Sequence, residues 1–276
     1  MATSTFGVSD WRCFSSVALW ISLALGVQAL PENPSVTHGQ VQITTPAAGI
    51  MHLLQSTPQA IVNWNSFNIR PDEVVRFLQP DAWSVILNRV VGIDPSILQG
   101  TLQANGRVFL VNPNGILFGP NARVDVGSFM ATTLALSDQD FLEGNYDLSQ
   151  DPNSPLAALV NQGHIEVAEG GFVVLASPLL HNQGLIVARG GEVCLGASTR
   201  TTFSVDGSGQ VQFAVPDGFR HDFSVQGNGG TVLLAPGQMT DLLSQVVHHP
   251  GILEAGELQG PAVIGGEGLL VHSGTI

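Results

Sequence analysis

Residues 160–168 read Val-Asn-Gln-Gly-His-Ile-Glu-Val-Ala, and residues 181–188 read His-Asn-Gln-Gly-Leu-Ile-Val-Ala. The two copies are offset by 21 residues, from Asn161 to Asn182. Each is followed by a glycine pair and an apolar run: Gly170-Gly171 before Phe-Val-Val-Leu-Ala, and Gly190-Gly191 before Glu-Val-Cys-Leu-Gly. A third such run, Thr-Val-Leu-Leu-Ala, follows Gly229-Gly230, and a decayed copy of the first unit spans His248 to Ala255. A period of about 20 residues, built from strands and Asn-Gly turns, predicts a solenoid. Its rungs stack in parallel about 4.8 Å apart. One rung cannot bury its own apolar face, but a stack of rungs can. The fold class expected is therefore all-β, a parallel β-helix. An antiparallel sandwich or barrel would account for the short strands but not for the fixed period.

Outward from the repeats the pattern persists. Val41 to Thr45, Ala60 to Trp64, Glu73 to Leu78, Arg107 to Val111 and Gly209 to Val215 read as strands, punctuated by Gly, Pro, Asn and Asp. Helical periodicity is scarce. Ser137 to Leu142 is a short candidate, with Ser137 as N-cap and Asp140 three residues on. Pro155 to Asn161 and Met239 to Val247 are the others. At about 20 residues per rung, the chain after residue 29 holds at most about twelve turns, fewer with excursions.

The chain has 276 residues, a net charge of −13, and arginine as its only strong cation, with no lysine. That balance argues against nucleic acid as a partner, because phosphate binding needs clustered Lys and Arg. It also disfavours docking on an anionic membrane. Arg12 precedes an apolar run from Phe14 to Val27, which ends in Val27-Gln28-Ala29. This is the anatomy of a signal peptide over residues 1–29, and the run is shorter than the ~20 residues needed to span a bilayer. The signal peptide implies the Sec translocon as a partner. Residues 30–276 form the expected β-helical domain, with rungs clearest over 160–276. They contain one cysteine, Cys194, in an alternating run that predicts a small buried apolar residue.

The segment from Asn63 to Val126 reads NWNSFNI, then VVRFLQP, ILNRVVG and GTLQANGRVFLVNPNGILFGPNARVDV. It resembles the N-terminal two-partner secretion (haemagglutination activity) domain of filamentous-haemagglutinin-like exoproteins of Gram-negative bacteria. That resemblance implies a right-handed parallel β-helix with an N-terminal cap and short extra-helical excursions. It implies recognition by a dedicated outer-membrane β-barrel transporter with periplasmic POTRA domains, and folding at the cell surface as part of an adhesin. Host surface glycans or receptors are implied as further partners. Asn112-Pro113-Asn114-Gly115 matches the motif tied to secretion competence; Asn63, Trp64, Phe67, Asn88, Arg89, Asn105 and Gly106 fall in the other matching runs. The family's second motif, NPNL, is absent, its neighbourhood reading QPDAWSVILNRV; roles tied to it do not carry over. Independently of any resemblance, NPNG reads as a tight turn. Asn suits position i, Pro i+1, Gly i+3, and Asn at i+2 tolerates positive φ.

Some β-helices are polysaccharide-active enzymes, which need paired carboxylates on one face. The densest acids, Asp138, Asp140, Glu143, Asp147 and Asp151, fall in one polar stretch that reads as a solvated loop. They lack EF-hand spacing. No GxSxG, HExxH or phosphate-loop pattern appears, and His248 and His249, adjacent in a strand, point to opposite faces. No catalytic residue, metal site or cofactor is expected. Trp64 and Phe67 could stack on a sugar or, more commonly for such residues, pack a cap over the end of the coil. The final Gly268–Ile276 stretch reads as a further rung without a polar cap, which predicts a continuing shaft, a truncated chain or a short stand-alone adhesin.

Overall fold

The structure is a computed structural model. It describes residues 30–206 and, further on, the strands Val211–Ala214, Phe223–Gly227, Gly230–Leu234, Val246–His249, Ile252–Ala255, Pro261–Gly266 and Leu269–His272. The leader reading over 1–29 and the helical reading over 239–245 lie outside the described residues.

The turns of the coil stack into three parallel sheets, the first turn supplying strands to two of them and only the bridge at Ile69 to the third. The first sheet stacks Ile50–Gln55, Val74–Leu78, Thr101–Ala104, Arg123–Val126, His164–Val167, Leu185–Ala188 and Ile252–Ala255. The second stacks Gln59–Trp64, Val85–Val90, Arg107–Val111, Ser128–Thr132, Phe172–Ala176 and Glu192–Ala197, continuing to Pro261–Gly266. The third runs from Ser96–Leu98 through Ile116–Phe118, Ala158–Asn161 and Leu179–Asn182 to Val246–His249 and Leu269–His272. The solenoid has about seven turns. Two insertions between rungs, and early turns longer than the repeat, bring that below the twelve-turn bound.

The two NQG repeats and the decayed copy stack in chain order, whereas the run after Gly229-Gly230 does not: Gly230–Leu234 pairs with Pro261–Gly266, which itself stacks on Glu192–Ala197. Leu185 pairs with His164 above it and with Ile252 below, so the decayed unit at His248–Ala255 is a true rung. Pro155–Asn161 does not form a helix: Ala158–Asn161 is a strand in register with Ile116–Phe118. Its Leu159 and Asn161 point inward at a period of two, and stacking on the preceding rung overrides a weak local helical tendency. Strands at the N-terminal end turn antiparallel. Ser35–His38 pairs with Gln59–Trp64, and Val41–Ala47 pairs with Ile50–Gln55, closing the first turn of two sheets.

Among the described residues the buried apolar side chains form two cores. Inward residues such as Leu53, Val75, Leu102, Leu110, Phe129 and Leu175 fill the coil. A second core lies on the outside of the second sheet, where Phe109, Met130, Phe172, Val174 and Cys194 meet Phe141, Tyr146 and Phe203. It is closed by an excursion: the helix Asp138–Glu143 and a three-stranded antiparallel sheet of Asn145–Ser149, Arg200–Val205 and Val211–Ala214. The second sheet is thus buried on both faces, so its strands read as unbroken apolar runs such as Phe-Val-Val-Leu-Ala. The acidic stretch is correspondingly not one loop: Asp138, Asp140 and Glu143 lie on the helix, and only Asp151 sits in a loop as expected. Ser137 caps the helix, accepting from the Asp140 N–H at 3.0 Å, as predicted. Asp147 lies on a strand and pairs with Arg200 at 2.8 Å.

Candidate functional site

The NPNG turn closes the corner between the second and third sheets. Its N–H at Gly115 donates to the Asn112 carbonyl at 3.2 Å, the bond of a four-residue turn. The residue in the positive-φ region is Gly115, at 122°, and not Asn114. The asparagine side chains act elsewhere. Asn112 has no exposed surface. Its Oδ1 accepts from the Asn114 backbone N–H at 2.9 Å and from Asn114 Nδ2 at 3.0 Å. Its Nδ2 donates to the Asp94 carbonyl at 3.1 Å and to Ser96 Oγ at 2.9 Å. Exposed Asn114 donates to the Gly92 carbonyl at 2.8 Å. The motif therefore bolts its own turn to the Val91–Pro95 loop of the preceding rung. Pro113, half-buried, holds the turn at i+1.

Asn63, Trp64, Phe67, Asn88 and Arg89 come together on the first two turns. Trp64 and Phe67 are buried in the coil and meet edge to face at 5.6 Å. They line the interior of the capped first turn, where half-buried Leu30 also packs, and offer no surface for sugar stacking. The Trp64 indole N–H donates to Asn88 Oδ1 at 3.1 Å, and Asn88 Nδ2 to the Phe109 carbonyl at 3.3 Å. A buried amide is thereby satisfied, as burial requires. Arg89 points outward. It donates to Asn63 Oδ1, to the Leu136 carbonyl at 2.7 Å, and to Asp138 Oδ1 at 2.6 Å. It ties the excursion to the coil at the excursion's start.

Asn105 and Gly106 form a corner one sheet further round. Asn105 exchanges two 2.8 Å bonds with the Gln79 backbone, and Gly106 N–H donates to Gln79 Oε1 at 3.1 Å. Gln79 is the residue the sequence reading missed. Buried, it also donates to Gln55 Oε1 and to the Ser84 carbonyl. Only its place in the VVRFLQP run pointed to it. Asp81 accepts from the Ser84 N–H and hydroxyl, which lowers its pKa, the hydroxyl bond first. Arg107 lies over the exposed Trp83 ring at 4.8 Å, and its pKa is lowered by burial.

The NQG repeats have a related logic. Buried Asn161 donates to Asn182 Oδ1 at 2.6 Å and accepts from the Gly163 N–H. Outside, Gln162 donates to Gln183 at 2.9 Å. A Cβ on Gly184 would stand 2.1 Å from the Gly163 carbonyl oxygen, so only glycine fits there.

These polar groups are spent on backbone and on each other. Among the described residues no group of three or more His, Cys, Asp or Glu is placed to hold a metal ion. In class, the molecule is a capped parallel β-solenoid whose polar signature residues knit successive turns. The chain belongs to the TPS (two-partner secretion) secretion domain family, whose model matches residues 27–264. It is 34% identical over 195 residues to a heme/hemopexin-binding protein of Haemophilus influenzae strain Rd, covering 68% of this chain and 21% of that protein. A second Haemophilus influenzae heme/hemopexin-binding protein is 38% identical over 103 residues, 37% of this chain and 11% of that one. The chain thus spans about a fifth or less of the length of these relatives. Among solved structures, the HMW1 secretion domain of Haemophilus influenzae superposes with a TM-score of 0.63 at 29% identity, over 87% of this chain and 58% of that one. The chain is a secretion domain of a two-partner exoprotein, and the family is not an enzyme family. Membership implies a dedicated outer-membrane transporter and delivery to the cell surface or the medium.

Proposed function

We propose that residues 1–29 direct the chain through the Sec translocon. Periplasmic POTRA domains of the dedicated transporter then receive residues 30–276 unfolded, and the chain folds into its β-helix outside. The observation that carries this is the order of pairing. In the second sheet each strand from Gln59–Trp64 to Glu192–Ala197 pairs with the next rung to leave. As far as Glu192–Ala197, a chain emerging from its N-terminus can therefore bury each rung on the one before it, and folding opposes its return. The amphipathic Val41–Ala47 strand suits addition to a sheet edge of the periplasmic domains before it closes the coil. Asn112, Pro113, Asn114 and Gly115 serve as the turn on which the early rungs depend; Asn63, Trp64, Phe67, Asn88, Arg89, Asn105 and Gly106 hold the turns around it. The exoprotein served is an adhesin or ligand-binding protein of the outer-membrane surface, with host glycans or receptors as its targets.

The test is secretion from a Gram-negative host with and without the cognate transporter, beside an Asn112→Ala, Asn114→Ala double variant. Transporter-dependent release of the wild type, lost in the variant, is the expected result. Periplasmic retention of both chains despite leader cleavage would overturn the reading.

A further inference from the structure

The apolar run after Gly229-Gly230 aligns with the run after Gly190-Gly191, Thr231-Val-Leu-Leu against Glu192-Val-Cys-Leu. By that alignment it should stack directly on Glu192–Ala197. In the structure Pro261–Gly266 takes that place, pairing Val263 with Cys194 and Ile264 with Leu195. Gly230–Leu234 lies one strand further out, pairing Leu233 with Val263 and Leu234 with Ile264. The columns are nevertheless those of the repeat. Leu233 falls in line with Cys194, and Leu234 with Leu195, with one strand between. Phase in a sheet has a period of two, so a strand one residue out of phase would present the wrong face. This strand is in phase. A step of one rung, about 4.8 Å, would set it on Glu192–Ala197 with every column kept.

We infer that the edge of Glu192–Ala197 undergoes a strand exchange: Gly230–Leu234 holds it first, and Pro261–Gly266 then enters between the two. Chain order gives the order of events. On the proposed function the chain leaves N-terminus first, so Gly230–Leu234 is outside while residues 235–260 are still to come. In refolding, where all strands are present at once, the shorter loop closes first and gives the same order. An unpaired edge recruits strands, and Gly230–Leu234 carries the run that repeats this one. Pro261–Gly266 arrives later but on a short tether. Val246–His249 and Ile252–Ala255 stack on Leu179–Asn182 and Leu185–Ala188, and only residues 256–260 then separate the chain from the edge. A short linker gives a tethered strand a high effective concentration. The ladders decide the direction. Exchange loses one, between Gly230–Leu234 and Glu192–Ala197, and makes two, one on each side of Pro261–Gly266. Gly230–Leu234 moves outward with its antiparallel partner Phe223–Gly227, and the pair ends as the outer strands of the sheet.

Disulfide trapping during refolding of the full chain tests this. Cys194 supplies one thiol, and Cys13→Ser removes the other. Before the exchange, position 233 is one strand, about 4.8 Å, from Cys194, within the roughly 4.4–6.8 Å that a disulfide spans; after it the two are about 9.6 Å apart and out of reach. With oxidant present from the start of refolding, Leu233→Cys should bridge to Cys194 at least about fivefold more often than Val232→Cys, whose column is that of Val193, whereas an unfolded chain would bridge the two alike. With oxidant added to the completed fold, the Leu233→Cys bridge should be lost. Val263→Cys, one strand from Cys194, should bridge there, which also shows that the chain has folded and that oxidant reaches the sheet. Peptide mapping reads all three. An early Leu233→Cys bridge no commoner than that of Val232→Cys overturns the exchange. So does a Leu233→Cys bridge that forms as readily in the completed fold, or a Val263→Cys chain that never bridges. Transporter-dependent export is read separately: its loss would count against the proposed function, and its presence does not rescue the exchange.

Discussion

Asn112 makes four hydrogen bonds through a side chain that water does not reach. Truncating it strands the Asp94 carbonyl, the Ser96 hydroxyl and the Asn114 N–H. The Ser96 hydroxyl is buried, and leaving such a group unmade costs about 1–3 kcal/mol; the bonds to the Asp94 carbonyl and the Asn114 N–H are part-buried and add less. We expect Asn112→Ala to lower stability by about 2–4 kcal/mol, and Asn114→Ala, on an exposed side chain, by about 1 kcal/mol, measured by urea unfolding of refolded chain. Equal small losses would mean the turn does not depend on the bolt. The glycines give a sharper contrast. Gly184→Ala drives a methyl into the Gly163 carbonyl and should prevent the native stack. Gly170→Ala meets nothing within 4 Å and suffers only its φ of +74°, a penalty of about 1–2 kcal/mol. The turn at NPNG was legible because its residue types select it. The residue types tolerate a positive φ at Asn114, but it is Gly115 that adopts one. The bolt to Gly92 and Asp94 was not legible, since it depends on which segment stacks above, and local sequence does not record that.

At the scale of elements, the excursion is the part the sequence half showed. The capped helix was readable from Ser137 and Asp140. Its role was not, because Asn145–Ser149 pairs with Arg200–Val205, more than fifty residues away and outside the repeat. The trace left in the sequence was the double-sided apolarity of runs such as Arg107–Val111, whose Val108 and Leu110 face the coil while Phe109 and Val111 face the excursion. Arg89 and Glu192 clip this cover down, the latter by accepting from the Val211 N–H at 2.8 Å. Arg89→Ala should loosen the cover, with a loss of about 1–3 kcal/mol and increased binding of a dye for apolar surface. Undiminished stability would mean the packing around Phe109 suffices alone. Burial raises the Glu192 pKa. The folded chain then holds that proton more tightly than the unfolded one, so this group's contribution falls as pH rises from its unfolded value through its raised folded value. Glu192→Gln keeps an oxygen for Val211 and should flatten stability across that weakly acidic window; an unchanged pH profile would remove Glu192 from the account.

For the whole molecule, period and turn chemistry sufficed to predict a solenoid, because stacking is the only way a 21-residue rung buries its apolar side. The number of turns was overestimated for the same reason: the repeat describes a rung and is silent about what is inserted between rungs. Net charge belongs to this scale too. The formal charge of −13 includes nine arginines, and several of these are committed to internal partners, Arg89 to Asp138, Arg189 to Glu166 and Arg200 to Asp147. On the proposed function the transporter receives a chain in which those pairs are undone but the excess of acid remains. If the transporter's periplasmic surface is basic, that excess accelerates encounter. Steering of this kind acts on the association rate and is screened within a Debye length, about 10 Å at 0.1 M salt and 3 Å at 1 M. The rate at which denatured chain, rapidly diluted, is captured by detergent-solubilised transporter should therefore fall by about tenfold or more between about 0.05 and 0.5 M salt. The dissociation rate should change little, because contacts made by strand addition are backbone hydrogen bonds and apolar pockets. A capture rate indifferent to salt would leave strand addition as the basis of recognition and reduce the acidity of the chain to a matter of solubility.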